Sequence, residues 1–261
     1  VNTLVDMPFF HTCMYGVEEV AQANDYDIIV VTTNGNDTKP LERLIQNRKV
    51  DGMILTRTYE NDKYVKFLKQ KQIPFVAVGK FPDDDVVQVD HDNVGACREL
   101  VTVLFAKGIQ NIAYLGSDMD QMVNRCRYQG YEEAYRKGKR KLNPDLVYTD
   151  LSSKAMVEKA VEELKKSGVE CILCQDDYIC DEAVRKLSHM GVRIPDQMKV
   201  ASCHYSRILE NYPVTVTSLK FNITELGRRS CQVLLDMIHG KTVPDKTLLD
   251  YEIILKESTK G

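Results

Sequence analysis

Apolar residues recur along this chain with two different periods, and the two alternate. Short runs rich in Val, Ile and Leu predict strands at 3–5, 27–33, 52–55, 75–78, 86–89, 111–115, 146–148, 171–174, 200–203, 216–219 and 251–255. Amphipathic stretches between them predict helices at 9–24, 41–47, 93–107, 125–137, 153–167, 177–190 and 223–239. In the first of these, Phe10, Cys13, Met14, Val17 and Ala21 share one face; Tyr64, Phe67 and Leu68 do the same in a further helix. Gly108, Gly168, Gly191 and Gly240 stand where helices should stop. Asn222 with Glu225 three residues on has the form of a capping box.

Strand–helix–strand alternation points to parallel sheets covered by helices on both faces. The elements are too many for one doubly wound sheet of ordinary size, so two α/β lobes are expected, which suits 261 residues. No period of a repeat array is present.

Composition narrows the function. A hydrophobic share of 43% supports a sizeable core. Lys+Arg 35 against Asp+Glu 38 leaves a net charge of -3, which argues against nucleic-acid binding by charge alone. No apolar run reaches the ~18 residues of a membrane span, and no signal peptide is expected, since Asp6 and Pro8 follow Val1–Val5 at once. The eight cysteines are scattered through core-like segments, which favours free thiols in a reducing compartment. Cys171 and Cys174 lie three apart on a predicted strand and point to opposite faces, so a shared zinc is not expected. Dinucleotide, P-loop, zinc-protease and nucleophile-elbow motifs are absent. Asp83-Asp84-Asp85 reads as a solvated turn after Pro82, and Arg136-Lys-Gly-Lys-Arg-Lys141 as a solvated helix end.

A set of segments in fixed order carries more. It comprises Asp6-Met-Pro-Phe-Phe10, Val50-Asp-Gly-Met-Ile-Leu55, Ile73-Pro-Phe-Val-Ala-Val-Gly-Lys80, Val89-Asp-His-Asp-Asn-Val-Gly95, Arg127-Tyr-Gln-Gly-Tyr131, Gly191-Val-Arg-Ile-Pro195 and Ile253-Ile-Leu-Lys-Glu-Ser-Thr259. Together they resemble the effector-binding core of the lactose-repressor/galactose-repressor family of bacterial transcription regulators, over nearly the whole chain. Val78-Gly-Lys80, Asp176-Asp177, Cys203-His-Tyr-Ser206 and Thr217-Ser218 look like the maltose-repressor branch of Gram-positive bacteria, whose third segment reads closer to Phe-Asn-Asn-Ser.

The resemblance implies a type I periplasmic-binding-protein-like fold, with two doubly wound parallel-sheet lobes joined by a three-stranded hinge. Residues 1–91 plus 222–247 would form the first lobe, and 92–221 plus 248–261 the second. It implies a sugar bound between lobes, a homodimer, a cytoplasmic location and operator DNA contacted through an N-terminal helix-turn-helix domain that is not in this chain. No cofactor and no catalytic residue are implied.

Sugar recognition wants bidentate donors, carboxylate or amide acceptors and aromatic faces. By the family position, Arg127 is the donor; on its own it would read as a surface helix arginine. Asp176 and Asp177 open a helix after a strand, where open α/β sheets bind ligands. One of them can cap that helix; Asp177 is assigned the cap and Asp176 the sugar hydroxyl. His204 replaces a family aspartate or asparagine, which puts the ligand in doubt, and a plain loop histidine stays open. Phe221 stacks on a sugar or packs the hinge. Of Phe9 and Phe10, Phe9 is taken as the ligand-facing ring because Phe10 lies on the core stripe. Lys80 is either a donor or an exposed lysine, and Arg57 and Tyr59 are weaker candidates. Arg127→Ala is expected to abolish ligand binding with little change in melting temperature. Two rivals stand beside the regulator reading: an extracytoplasmic sugar-binding protein of a transport system, and an α/β enzyme.

Overall fold

The apolar runs and amphipathic stretches become the following elements in a computed structural model that describes residues 8–33, 37–82 and 85–260. The chain begins with α1 (Pro8–Ala23), α2 (Lys39–Gln46), β1 (Met53–Leu55), α3 (Lys63–Lys71), β2 (Phe75–Val78) and β3 (Gln88–His91). It continues through α4 (Asn93–Ala106), β4 (Ile112–Leu115), α5 (Met122–Lys137), β5 (Val147–Tyr148) and α6 (Lys154–Leu164). Then come β6 (Cys171–Cys174), α7 (Asp177–His189), β7 (Lys199–Ser202), β8 (Thr217–Phe221), α8 (Ile223–Ile238), β9 (Lys246–Leu249) and β10 (Tyr251–Ile254).

These elements divide into two units: Val1–His91 with Asn222–Leu249, and Asp92–Phe221 with Asp250–Gly261. The first holds a parallel sheet in the order β1-β2-β3-β9. β9 was not expected, since its burial only alternates. Its ladder with β3 reaches Leu249 opposite His91, which sets the division at 249/250 rather than 247/248. Gln88 is buried in this sheet because its amide both accepts from the Phe81 N–H at 2.9 Å and donates to the Phe81 carbonyl at 3.1 Å.

Among the described residues, the strand expected at 27–33 finds no partner: its backbone joins no ladder, and Ile28, Ile29 and Val30 are 41%, 50% and 64% exposed. Strand propensity is chiefly a measure of packing against neighbours, and without a paired strand the apolar run alone does not suffice. These residues line a cavity of about 1150 Å3 together with Met53, Leu55, Leu234 and Ile238. The strand expected at 3–5, and Asp83 and Asp84, lie outside the described residues; Asp85 accepts from Lys69 at 2.6 Å.

α1 and α8 approach closely because each presents a glycine at the crossing. A Cβ on Gly16 would overlap the Thr224 carbonyl, and one on Gly227 the Cys13 carbonyl. Asn222 caps α8 by accepting from the Glu225 N–H at 3.0 Å, while the Glu225 carboxylate pairs with Arg228 at 3.5 Å.

The second unit holds a six-stranded sheet in the order β10-β8-β7-β6-β4-β5. All of its pairs are parallel except β10, which lies antiparallel on β8 and makes one edge. β4 and β6 are buried at every residue, as strands covered on both faces must be. Ile172 and Cys174 pack into a core with Val157, Val161, Leu164 and Leu187 from α6 and α7. All eight cysteines are buried and unbridged. No helix among the described residues is long and apolar enough to cross a membrane.

Candidate functional site

Three parallel strands of the second unit end in polar residues on one edge of its sheet. β6 runs into Gln175-Asp176-Asp177, β7 into Cys203-His204, and β8 ends in Phe221. Carboxyl ends of parallel strands are where open α/β sheets bind ligands. Arg127 comes from α5, the helix after β4.

Arg127 is 8% exposed, so it is not the surface arginine its helix position suggests. Its Nε donates to Asn93 Oδ1 at 3.2 Å and one terminal nitrogen donates to the Gln175 carbonyl at 3.0 Å. The guanidinium carbon lies 5.9 Å from the Phe221 ring centre. Two fixed bonds hold a planar cation against an aromatic ring. Arg127→Ala would take the donor from the buried Gln175 carbonyl, so a loss of stability in the free protein is expected beside any loss of binding.

Gln175 is fully buried and supports this arrangement. Its side-chain oxygen accepts from the Ser117 N–H at 3.0 Å, and its amide nitrogen donates to the Ser117 hydroxyl at 3.2 Å. Gly116 makes room for it, since a Cβ there would crowd the Gln175 oxygen at 2.7 Å. The Tyr114 hydroxyl is buried without a hydrogen-bond partner among the described residues, within electrostatic reach of Arg127 and Asp176.

The cap expected of Asp177 falls to Asp176. Asp176 has extended backbone and is the N-cap of α7, accepting from the Ile179 N–H at 2.8 Å. Asp177 is already inside the helix, and its Oδ1 lies 3.2 Å from His204 Nδ1. Burial pushes Asp176 above the usual carboxylate range; the Ile179 N–H opposes this and the Asp177 charge adds to it. Burial acts on Asp177 too, but the hydrogen bond and charge of His204 outweigh it and hold this carboxyl at about 2. His204 is thus held by Asp177. Its ring also stacks on Phe221, with centres 6.3 Å apart and planes 17° apart.

Arg127, Asp176, His204 and Phe221 thus come together in one unit. Asn93, Gln175 and Asp177 complete the group and were not singled out as ligand residues. Asn93 stood inside the quoted Val89–Gly95 segment and Gln175 directly before the Asp pair, so their positions were visible although their bonds were not. Phe9 and Lys80 belong to the first unit. Phe9 packs against the core cluster of Val76, Val78, Val89 and Leu226. Phe10 meets it edge-on, with centres 5.2 Å apart, and has the Arg57 guanidinium 5.3 Å from its ring centre. This reverses the division expected from helical spacing. Lys80 is exposed, and its carbonyl accepts from the Thr58 hydroxyl at 2.9 Å.

Residues 1–257 match the family model described as periplasmic binding proteins and sugar binding domain of the LacI family. The HTH-type transcriptional regulator CelR of Thermobifida fusca is 26% identical over 258 residues, covering 96% of this chain and 76% of that protein. The regulator MalR of Streptococcus pneumoniae TIGR4 is 26% identical over 262 residues, covering 95% and 76%. The solved structure of a transcriptional regulator CelR–cellobiose complex superposes with a TM-score of 0.89 at 25% identity, over 98% of this chain and 80% of that one. A probable maltose operon repressor from Staphylococcus shares the fold, with a TM-score of 0.90 at 20% identity over 98% and 93%. The chain belongs to the periplasmic-binding-protein and LacI sugar-binding-domain family, as the sugar-binding domain of a LacI-family transcription regulator.

Proposed function

We propose that Arg127, Asp176, His204 and Phe221 bind a small sugar effector, a glucose disaccharide with maltose as first candidate. The observation that carries this reading is the buried Arg127 guanidinium, held by Asn93 and Gln175 beside the Phe221 ring. A fixed planar donor, nearby carboxylates and an aromatic face suit hydroxyls on an otherwise apolar ring. Asp177 Oδ1 engages His204 at Nδ1, which turns the Nε2 side of the ring to a sugar hydroxyl. Similarity to regulators named MalR and CelR supports the disaccharide class.

The regulator would act in the cytoplasm as a homodimer, passing effector occupancy to operator DNA through an N-terminal DNA-binding domain. The effector need only bind two states unequally, by about 1–3 kcal/mol in switches of this kind. No reaction and no catalytic residue are part of this reading. Calorimetric titration with maltose and cellobiose, with glucose and galactose as controls, tests it. Saturable heat from maltose supports the maltose assignment, and heat from cellobiose alone moves the ligand within the disaccharide class. Silence from all four overturns the sugar reading.

A further inference from the structure

Arg136-Lys-Gly-Lys-Arg-Lys141 puts five cations into six positions of a chain whose net charge is -3. Helix electrostatics explain two of them: Arg136 and Lys137 occupy the last turn of α5, where cations suit the dipole, and that effect fades beyond the turn. Lys139, Arg140 and Lys141 lie past the C-cap Gly138. Lys139 takes a left-handed conformation, φ 51°, and the Arg140 N–H bonds back to the Tyr135 carbonyl at 2.9 Å. The chain thereby returns Arg140 towards α4, where its guanidinium lies 4.3 Å from the centre of the Phe105 ring and donates to the Gln110 side chain.

The result is a cavity in this unit, about 580 Å3, with Arg98, Lys137 and Arg140 around Phe105 and Tyr251. It shares no lining residue with the Arg127 group. Of the acids nearby, Glu133 is ion-paired, whereas Glu99 lines the cavity and keeps its charge, so two cations, Lys137 and Arg140, face one anion. Glu133 takes Arg98 at 2.8 Å and Arg136 at 3.7 Å, and Glu99 accepts from the Tyr251 hydroxyl at 2.6 Å. Among the described residues no carboxylate lies within ion-pair distance of Lys137, Lys139 or Lys141. Unneutralised cations at the mouth of a partly aromatic cavity favour an anion carried on an organic body.

We propose that this cavity binds a small organic phosphate. Its phosphoryl oxygens accept from Lys137 and Arg140, and its organic body rests on Tyr251. Arg140 supplies planar paired donors and Lys137 a point charge, the two common ways of holding phosphate. The volume is that of an ordinary small-ligand site. The proposal stands independently of the sugar reading, because no residue is common to both.

The test is calorimetric titration of the whole chain with ATP, pyrophosphate and inorganic phosphate. ATP is expected to bind saturably and more tightly than pyrophosphate. The Lys137→Gln/Arg140→Gln variant should bind ATP about tenfold or more weakly. Lys137→Gln alone should also weaken it; this exposed side chain has no ion pair to lose, so misfolding would not explain the result. Lys165→Gln/Lys166→Gln removes two exposed charges elsewhere on the same unit and should change nothing. Absence of saturable ATP binding, or equal loss in the Lys165/Lys166 control, overturns the proposal. Pyrophosphate binding as tightly as ATP overturns the part assigned to the organic body.

Discussion

The two units use similar strand–helix material to different effect. In the second, β4 and β6 are covered on both faces and polar residues gather at the carboxyl ends of β6, β7 and β8. In the first, the apolar run 28–30 is exposed beside a large cavity and forms no strand among the described residues. Hydrophobic runs of comparable strength therefore end in opposite environments. Burial in the second unit makes its polar groups need partners: Arg127 and Gln175 have theirs, while the Tyr114 hydroxyl has none among the described residues.

Core truncation should separate the units most. Leu173→Ala, at a fully buried site in β6, is expected to cost about 2–5 kcal/mol in urea unfolding. Val30→Ala, at a residue 64% exposed, should stay within about 0.5 kcal/mol. Equal losses would mean that 28–30 is packed in solution. The same contrast applies to cations. Arg127→Ala should cost about 1–3 kcal/mol because it takes the donor from the buried Gln175 carbonyl, whereas Lys80→Ala, at an exposed side chain, should leave the unfolding midpoint in place.

Acid should reach the second unit through Asp177. Its carboxyl sits at about 2 in the folded protein, below its ordinary value of 3.8, so its stabilising contribution is complete above about pH 4. That contribution, about 2 kcal/mol, is lost as pH falls towards 2. Asp177→Asn should flatten this limb of a stability–pH curve measured by urea unfolding. The neighbouring Asp176 has the opposite sign, since burial raises it and its charge opposes folding at neutral pH. Asp176→Asn should keep the α7 cap, because Asn caps as well as Asp, and raise the melting temperature slightly at pH 7. A clear fall in melting temperature would show that the Asp176 charge itself stabilises the fold.

Much of this architecture was legible in the chain because period and burial agree. The runs at 75–78 and 171–174 became β2 and β6 as written, and the helix starting at Asp177 was placed to the residue. Legibility failed where an element depends on its neighbours. The run 27–33 has strand composition but joins no ladder among the described residues, while β9, with two polar or charged residues in Lys246–Leu249, is a strand because β3 pairs with it. The site divides in the same way. Arg127, Asp176, His204 and Phe221 were reached by family position and strand ends. Which aspartate caps α7 depends on one backbone conformation, and the bonds from Arg127 to Asn93 and Gln175 span 34 and 48 residues. Local spacing carries no information about either.

The central claim is that a guanidinium locked by Asn93 and Gln175 is the sugar anchor. Its direct test is calorimetric titration of maltose and cellobiose into the wild-type chain and into Arg127→Lys, which keeps the charge but not the planar fork. The account predicts saturable binding of one disaccharide to the wild type. It predicts a loss of about tenfold or more in Arg127→Lys, with a melting temperature above that of Arg127→Ala. Disaccharide binding that survives Arg127→Lys unchanged would contradict it.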